Sequence, residues 1–209
     1  MNNYWDNVWT SVDVKDYKKY INLNDDYKFI DIFKQHKISN ICDAACVFGK
    51  YSAIFSKNNF KVSGFDISEQ SIILTKNMLT TLNLGFMDFC VCSITDIKYR
   101  DECFEGVIAH AVLDHLNTTE AIKALNELFR ITKKNGLIYL SFDGLSDNDI
   151  EACHEVLADG SFKYIDGTRK GMIFKYYINE EIKKLIMGKE ILYFNTKQNG
   201  EREVILRKI

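Results

Sequence analysis

The chain has 209 residues, 46% of them hydrophobic and 27% charged, which is typical of a soluble globular protein with one sizeable core. A formal net charge of -2 provides no basic surface for nucleic acid. No apolar run approaches the roughly 18 residues of a membrane span, and the N-terminus lacks the basic start and apolar core of a signal peptide. We therefore expect a single domain over residues 1–209, a cytoplasmic location, and neither a nucleic-acid nor a membrane partner.

The first predicted elements alternate between helices and strands. Helices are expected at 25–36, 50–59, 68–83 and 118–136, and strands at 38–44, 60–66, 86–96, 104–113 and 137–143. Ser68 is a plausible N-cap for the third helix and Gly136 the expected C-terminal stop of the fourth. Such alternation predicts a parallel sheet with helices on both faces.

The C-terminal part follows a different pattern. A helix is expected to begin at a cap, Asn179, and to stop at Gly188. Two β-rich runs at 191–196 and 202–209 follow, joined by an Asn199–Gly200 pair that favours a hairpin turn. The predicted fold is therefore α/β, a doubly wound and mostly parallel seven-stranded sheet that ends in an antiparallel hairpin.

The least regular segment, residues 144–178, follows the fifth strand. Ligands of open α/β sheets bind at the carboxyl edge of the strands. We interpret this segment as a lid-like insertion over a pocket, in which Tyr176 or Tyr177 could line the pocket.

Six cysteines are present, without a CxxC spacing and without a nearby histidine to complete a zinc site. We expect reduced, mostly buried thiols and no metal. The six are Cys42, Cys46, Cys90, Cys92, Cys103 and Cys153.

The stretch "CDAACVFGKYS", residues 42–52, connects the first strand to a helix whose N-terminus carries partial positive charge. Asp43, Asp66 and Asp96 are expected at the ends of the first, second and third strands. Three carboxylates along one edge would repel a phosphate-rich ligand. They would suit a ligand with a ribose, an adenine amine and a positive centre.

Five motifs together resemble the class I S-adenosylmethionine-dependent methyltransferases, over nearly the whole chain. "DAACVFG", from Asp43 to Gly49, matches the glycine-rich first motif, and "GFDIS" and "SITDI" match the two later acidic motifs. "FEGVIAHAVLDHL" matches the fourth-strand segment, and "ELFRITKKNGLIYLS" the next helix and strand. A terminal antiparallel strand is also typical of that family.

The resemblance implies S-adenosyl-L-methionine as cofactor and a small-molecule methyl acceptor. Asp66 would hold the ribose, Asp96 the adenine, and Asp43 the loop and the methionyl amine, while Ile67 and Ile97 would either flank the adenine or belong to the core. His110, near the end of the fourth strand, is a candidate for contact with ligand or substrate and the one catalytic candidate. Residues 1–24 would cover the cofactor or anchor the N-terminus. The implied cofactor contacts are Asp43, Ala45, Cys46, Val47, Gly49, Asp66, Ile67, Asp96, Ile97 and His110.

The loop departs from the family pattern at two positions. Ala45 and Val47 replace the first two glycines, and only Gly49 remains. A β-branched residue at positive φ is a conformational outlier. Three interpretations stay open: Val47 has negative φ in an altered loop that binds the cofactor, binding is weakened, or the activity has been lost.

Two other functions remain as alternatives. A non-catalytic module could retain the fold and bind S-adenosylmethionine or a nucleoside through a degraded loop. A nicotinamide-dependent reductase is a poorer match, since its fingerprint glycines are missing and no helical Tyr-x-x-x-Lys is present.

Overall fold

A computed structural model describes residues 4–10, 12–13, 15, 21, 23 and 27–209. Half of the predicted cover segment, residues 1–24, lies outside the described residues, and its role stays a prediction. The strands are β1 (Asn40–Ala44), β2 (Lys61–Asp66), β3 (Phe89–Val91), β4 (Phe104–Ala109), β5 (Thr132–Phe142), β6 (His154–Val156), β7 (Phe162–Tyr164), β8 (Ile173–Phe174), β9 (Glu190–Thr196) and β10 (Arg202–Arg207). The helices are α1 (Tyr4–Thr10), α2 (Lys28–Gln35), α3 (Lys50–Lys57), α4 (Glu69–Thr81), α5 (Thr118–Ile131), α6 (Asp147–Glu151) and α7 (Asn179–Leu185).

Seven strands form the main sheet in the order β3-β2-β1-β4-β5-β10-β9. The first five are mutually parallel, whereas β10 runs antiparallel to both β5 and β9. Gly200, at φ 81°, lies in the turn between β9 and β10. The predicted mostly parallel seven-stranded sheet with a terminal hairpin is confirmed.

Hydrophobic residues on the two sides of the sheet form two cores. In β5, Ile138, Leu140 and Phe142 pack on one side with α5 and α7. The alternate residues Leu137 and Tyr139 pack on the other side with α2, α3 and α4. This period of two is what a strand buried on both faces requires. None of the helices in the described part of the chain is long and apolar enough to cross a bilayer.

The helix expected to reach Gly136 ends earlier. α5 stops at Ile131, and β5 begins at the next residue, where the Thr132 hydroxyl donates to the Leu128 carbonyl oxygen at 2.6 Å. Thr132 pairs with Phe104 of β4, so sheet pairing overrides local helix propensity. Gly136 lies inside a strand, where a Cβ would be 2.7 Å from the Glu105 carbonyl oxygen. The predicted cap Asn179 is the first residue of α7, one position from the expected place.

The insertion contains more regular secondary structure than its sequence pattern predicted. Within residues 144–178, β6, β7 and β8 form a separate antiparallel sheet. It is tied to the main body next to β4, because the Lys175 N–H donates to the Asp114 carbonyl oxygen at 2.7 Å. Its role as a lid remains a prediction.

All six cysteines lie in the described part of the chain and are free thiols, as expected. Only Cys42, Cys46 and Cys92 are buried, whereas Cys90 and Cys103 are partly buried and Cys153 is exposed.

Candidate functional site

The loop after β1 adopts the conformation that its sequence disfavours. Ala45 has φ 58° and Val47 φ 55°, and Gly49, which precedes α3, has φ 82°. The interpretation in which Val47 has negative φ is therefore wrong. The loop keeps the left-handed geometry at both positions where family members usually have glycine, and each such residue costs about 1–3 kcal/mol in backbone strain.

Hydrogen bonds from neighbouring elements hold this conformation. The Cys46 N–H donates to the Phe65 carbonyl oxygen at 3.1 Å, and the Val47 N–H donates to Asp66 Oδ2 at 3.0 Å. From α4, the Thr75 hydroxyl donates to the Val47 carbonyl oxygen at 3.2 Å. The surrounding structure thus fixes the left-handed residues, which is the condition for such strain to persist.

Gly49 is required for a second reason. A Cβ on Gly49 would lie 2.9 Å from Cγ2 of Thr75. The retained glycine therefore lets α4 pack closely against the start of α3.

Asp66 ends β2, as predicted, and is 4% exposed. Its two carboxylate oxygens accept one backbone N–H each, from Val47 at 3.0 Å and from Ser68 at 2.9 Å. Burial raises its pKa, and these hydrogen bonds oppose the rise. A carboxylate has about four acceptor positions, so these two hydrogen bonds leave Asp66 with unused acceptor capacity. The next residue, Ile67, is 45% exposed and offers an apolar surface beside it.

Asp43 is buried in β1, one residue before the end of the strand. The Ser52 hydroxyl donates to Asp43 Oδ2 at 2.5 Å, which links the strand to α3. Burial raises the pKa of Asp43 to about 6, opposed by the hydrogen bonds from Ser52 and by the nearby His110. The expected function of Asp43 in organising the loop stays a prediction, because its side-chain hydrogen bond reaches α3.

The third acidic residue is not at a strand end. β3 stops at Val91, and Asp96 lies in an exposed turn in which its N–H donates to the Ser93 carbonyl oxygen at 3.1 Å. The expected row of three acidic strand ends is therefore wrong for this residue. Ile97 is 5% exposed and packs in the core, which favours the structural alternative for it.

His110 directly follows β4 at the carboxyl edge of the sheet. Its ring is 4.4 Å from that of Tyr51 on α3, centroid to centroid, and its Nε2 is 3.6 Å from Oε1 of Glu201 in the terminal hairpin. The contact with His110 is the main cause that lowers the pKa of Glu201 to about 2. Neither Tyr51 nor Glu201 was predicted from sequence, because each is brought to the edge by a different element.

A cavity of about 520 Å³ opens at the carboxyl ends of β4 and β5, next to His110. This volume is in the range of small-molecule sites. Neither Tyr176 nor Tyr177 is among its lining residues. It is lined by Tyr4, Trp5, His115, Asp143, Gly144, Leu145, Ser146, Asp149, Arg169, Met172, Phe174, Asn199 and Glu201.

A smaller cavity of about 330 Å³ lies at the opposite, amino edge of the parallel strands, between α5 and the end of β10. Its arginines are already paired, Arg130 with Glu127 and Asp101, and Arg207 with Glu190. It is remote from the loop and from His110. Among the residues that the structure describes, no group of three or more His, Cys, Asp or Glu side chains could hold a metal ion.

Comparisons with known proteins agree with this geometry. Residues 42–140 match the sequence profile of a family described as "Methyltransferase domain". A protein of uncharacterised function from Methanocaldococcus jannaschii is 28% identical, with 76% of this chain and 71% of that protein covered.

Two solved structures share the fold. An S-adenosylmethionine-dependent methyltransferase from Methanosarcina mazei superposes with a TM-score of 0.74 at 23% identity, covering 88% of this chain and 99% of that chain. An S-adenosylmethionine-dependent methyltransferase from Clostridium acetobutylicum superposes with a TM-score of 0.68 at 13% identity, covering 98% of this chain and 96% of that chain. The chain therefore has the fold of these S-adenosylmethionine-dependent methyltransferases, as the resemblance of its motifs implied, and its residues 42–140 are similar to a methyltransferase domain.

Proposed function

We propose that this protein is a methyltransferase that uses S-adenosylmethionine and acts on a small-molecule acceptor. The observation that carries the proposal is the contact between Asp66 and Val47. It joins a buried carboxylate at the end of β2 to the left-handed loop after β1. The methyltransferase domain match and the two neighbours described as S-adenosylmethionine-dependent support the choice of cofactor.

The residues at this edge fit the cofactor. Asp66 has acceptor positions left for ribose hydroxyls, and the exposed Ile67 beside it offers an apolar face for the adenine. Asp43 supplies negative charge near the loop for the methionyl ammonium group. We keep Asp96 as an adenine contact only as a prediction from resemblance, since it lies on an exposed turn.

Methyl transfer requires the protein mainly to position the two reactants. S-adenosylmethionine supplies a methyl group on a positively charged sulfur, with a neutral leaving group. The task of the chain is to hold the acceptor in line and to exclude water. The cavity beside β4 and β5 is the proposed acceptor site, and His110 lies between it and the loop.

Calorimetric titration with S-adenosylmethionine and S-adenosylhomocysteine, with NADH as control ligand, tests the cofactor. We expect both sulfur ligands to bind and NADH not to bind. Binding of NADH alone would support the reductase alternative. Absence of any binding, both in the wild-type protein and in Val47→Gly, would overturn the proposal and leave only the shared fold.

One observation favours a second candidate, a non-catalytic binding module. Ala45 and Val47 both have positive φ, so this loop carries strain that glycine would relieve. If S-adenosylmethionine binds but a broad screen of small acceptors yields no S-adenosylhomocysteine, the binding module is the better description.

A further inference from the structure

Among the residues that the structure describes, the cavity beside β4 and β5 contains one carboxylate whose side chain has no hydrogen-bond or ion-pair partner, that of Asp143. Of its charged lining groups, Arg169 pairs with Asp149 at 2.6 Å, and Glu201 pairs with Lys197 at 3.1 Å. The Asp143 side chain, in contrast, has no hydrogen bond and no ion pair among the described residues; only its backbone N–H is engaged, and it donates to Asp114. When Asp143 is ionised, the cavity therefore holds one negative charge without an ion-pair partner.

Asp143 is also partly buried, directly after the end of β5. Burial and the neighbouring Asp114 raise its pKa, while His115 and His110 oppose this and Glu201 adds to it. An ionised carboxylate in such a place is destabilised unless a cation or hydrogen-bond donors approach it. A positively charged ligand would supply both.

One wall of the same cavity is aromatic. The ring centroids of Tyr4 and Trp5 are 4.9 Å apart, those of Trp5 and His115 4.9 Å, and those of His115 and Phe174 6.0 Å. Aromatic faces bind organic cations as well as apolar groups. His115 Nδ1 lies 3.1 Å from the Ile173 carbonyl oxygen, which can only accept, so the neutral ring carries its proton there and keeps an acceptor at Nε2.

We propose that this cavity binds a small organic ammonium compound. Its charged nitrogen would lie against Asp143, and its apolar part would pack on the wall of Tyr4, Trp5, His115 and Phe174. The role of this compound as the methyl acceptor rests on the proposed function, whereas its binding does not.

A ligand series of one shape tests the charge preference in the wild-type protein. Benzylammonium, benzyl alcohol and benzoate would be titrated by NMR, with and without S-adenosylhomocysteine. We expect benzylammonium to bind at least about tenfold more tightly than the alcohol, and benzoate least tightly. Of the two tryptophans in the chain, the indole signal of Trp5 should shift and that of Trp9, which is not among the lining residues, should not. Equal or tighter binding of the alcohol or of benzoate would overturn the inference.

Variants then locate the charge. Asp143→Asn should remove the preference for benzylammonium and leave the affinity for the alcohol within about twofold. Asp147→Asn makes the same change four residues on, at an exposed position outside the cavity lining, and should behave as wild type. If Asp143→Asn does not fold, the ligand series in the wild-type protein still tests whether the cavity prefers the cation.

Titration of the same samples with S-adenosylhomocysteine separates the two proposals. Cation selectivity without S-adenosylhomocysteine binding would support the inference and contradict the proposed function. Binding of S-adenosylhomocysteine without cation selectivity would support the proposed function and overturn the inference that the cavity binds an ammonium compound.

Discussion

The Asp66 carboxylate accepts the backbone N–H of Val47 at 3.0 Å, so the residue that ends β2 also holds the loop after β1. This bond joins the two sequence features that matter most for the proposed function. It couples the proposed ligand-binding role of Asp66 to the conformation of a loop in which Ala45 and Val47 stand where the resembled family usually has glycine. Mutations on either side should therefore affect both stability and cofactor affinity.

Asp66→Asn should lower the affinity for S-adenosylhomocysteine at least about tenfold, because an amide cannot accept backbone N–H groups on both sides. Calorimetry measures the loss, and thermal unfolding should show a lower melting temperature. Asp31→Asn, an exposed change on α2, is the matched control. Unchanged affinity in Asp66→Asn would remove the proposed role of this residue.

Val47→Gly should stabilise the protein by up to about 1 kcal/mol, or roughly 2–4 °C in melting temperature, because the strain relieved at φ 55° is partly offset by the larger conformational entropy that glycine loses on folding. Cofactor affinity should be equal or higher. Val47→Ala removes the side chain but keeps the Cβ, so it should show little of this gain. If alanine and glycine behave alike, backbone strain is not the cause.

Gly49→Ala should destabilise the protein by more than Gly188→Ala. Both glycines have positive φ, 82° and 77°, but only Gly49 would place a Cβ against Thr75, whereas Gly188 has open space. The difference in the free energy of unfolding therefore isolates the steric part, which we expect to be about 1–3 kcal/mol. Adding Thr75→Ser, which removes the clashing methyl group, should recover part of it. No recovery would mean that the close approach of α4 does not limit this position.

Thr75→Val should lower both stability and cofactor affinity, since it removes the hydroxyl that donates to the Val47 carbonyl oxygen and keeps the side-chain shape. We expect the free energy of unfolding to fall by about 1 kcal/mol. Thr80→Val is the control on the same helix, because its hydroxyl bonds only the Lys76 carbonyl oxygen of α4. Equal effects of the two changes would argue against a function of Thr75 in the loop.

The pH dependence of the free energy of unfolding should reveal the raised pKa of Asp43. Its folded pKa of about 6 is above the ordinary value near 3.8, so between these values the native state binds more protons than the unfolded state. The stabilisation that protonated Asp43 provides is therefore lost as pH rises through this window. Asp43→Asn resembles the protonated form, and its stability relative to wild type should rise between about pH 4 and pH 7. Denaturant unfolding across pH measures this, and a constant difference would contradict the raised pKa.

Much of the fold was predictable from sequence because its signals are local. The alternation of apolar runs located the strands of the main sheet, Ser68 caps α4 as expected, and Asn199–Gly200 marks the terminal hairpin. Asp43 and Asp66 were found because each stands at or next to the carboxyl end of a strand. One error came where a partner distant in sequence decides, because Thr132 leaves the helical pattern to pair with Phe104 of β4. The other was a local turn that the apolar run concealed: β3 ends at Val91, and the Asp96 N–H donates to the Ser93 carbonyl oxygen.

The sequence by itself determined the class of sheet, the place of the loop and the two carboxylates beside it, since periodicity and turn residues act within a few positions. Only the tertiary structure decided the conformation of Val47 and the existence of the cavity. Val47 takes positive φ because Asp66 and Thr75, 19 and 28 residues away, bond its N–H and carbonyl oxygen. The cavity brings together residues from Tyr4 to Glu201, which meet only when α1, the insertion and the hairpin pack at one sheet edge.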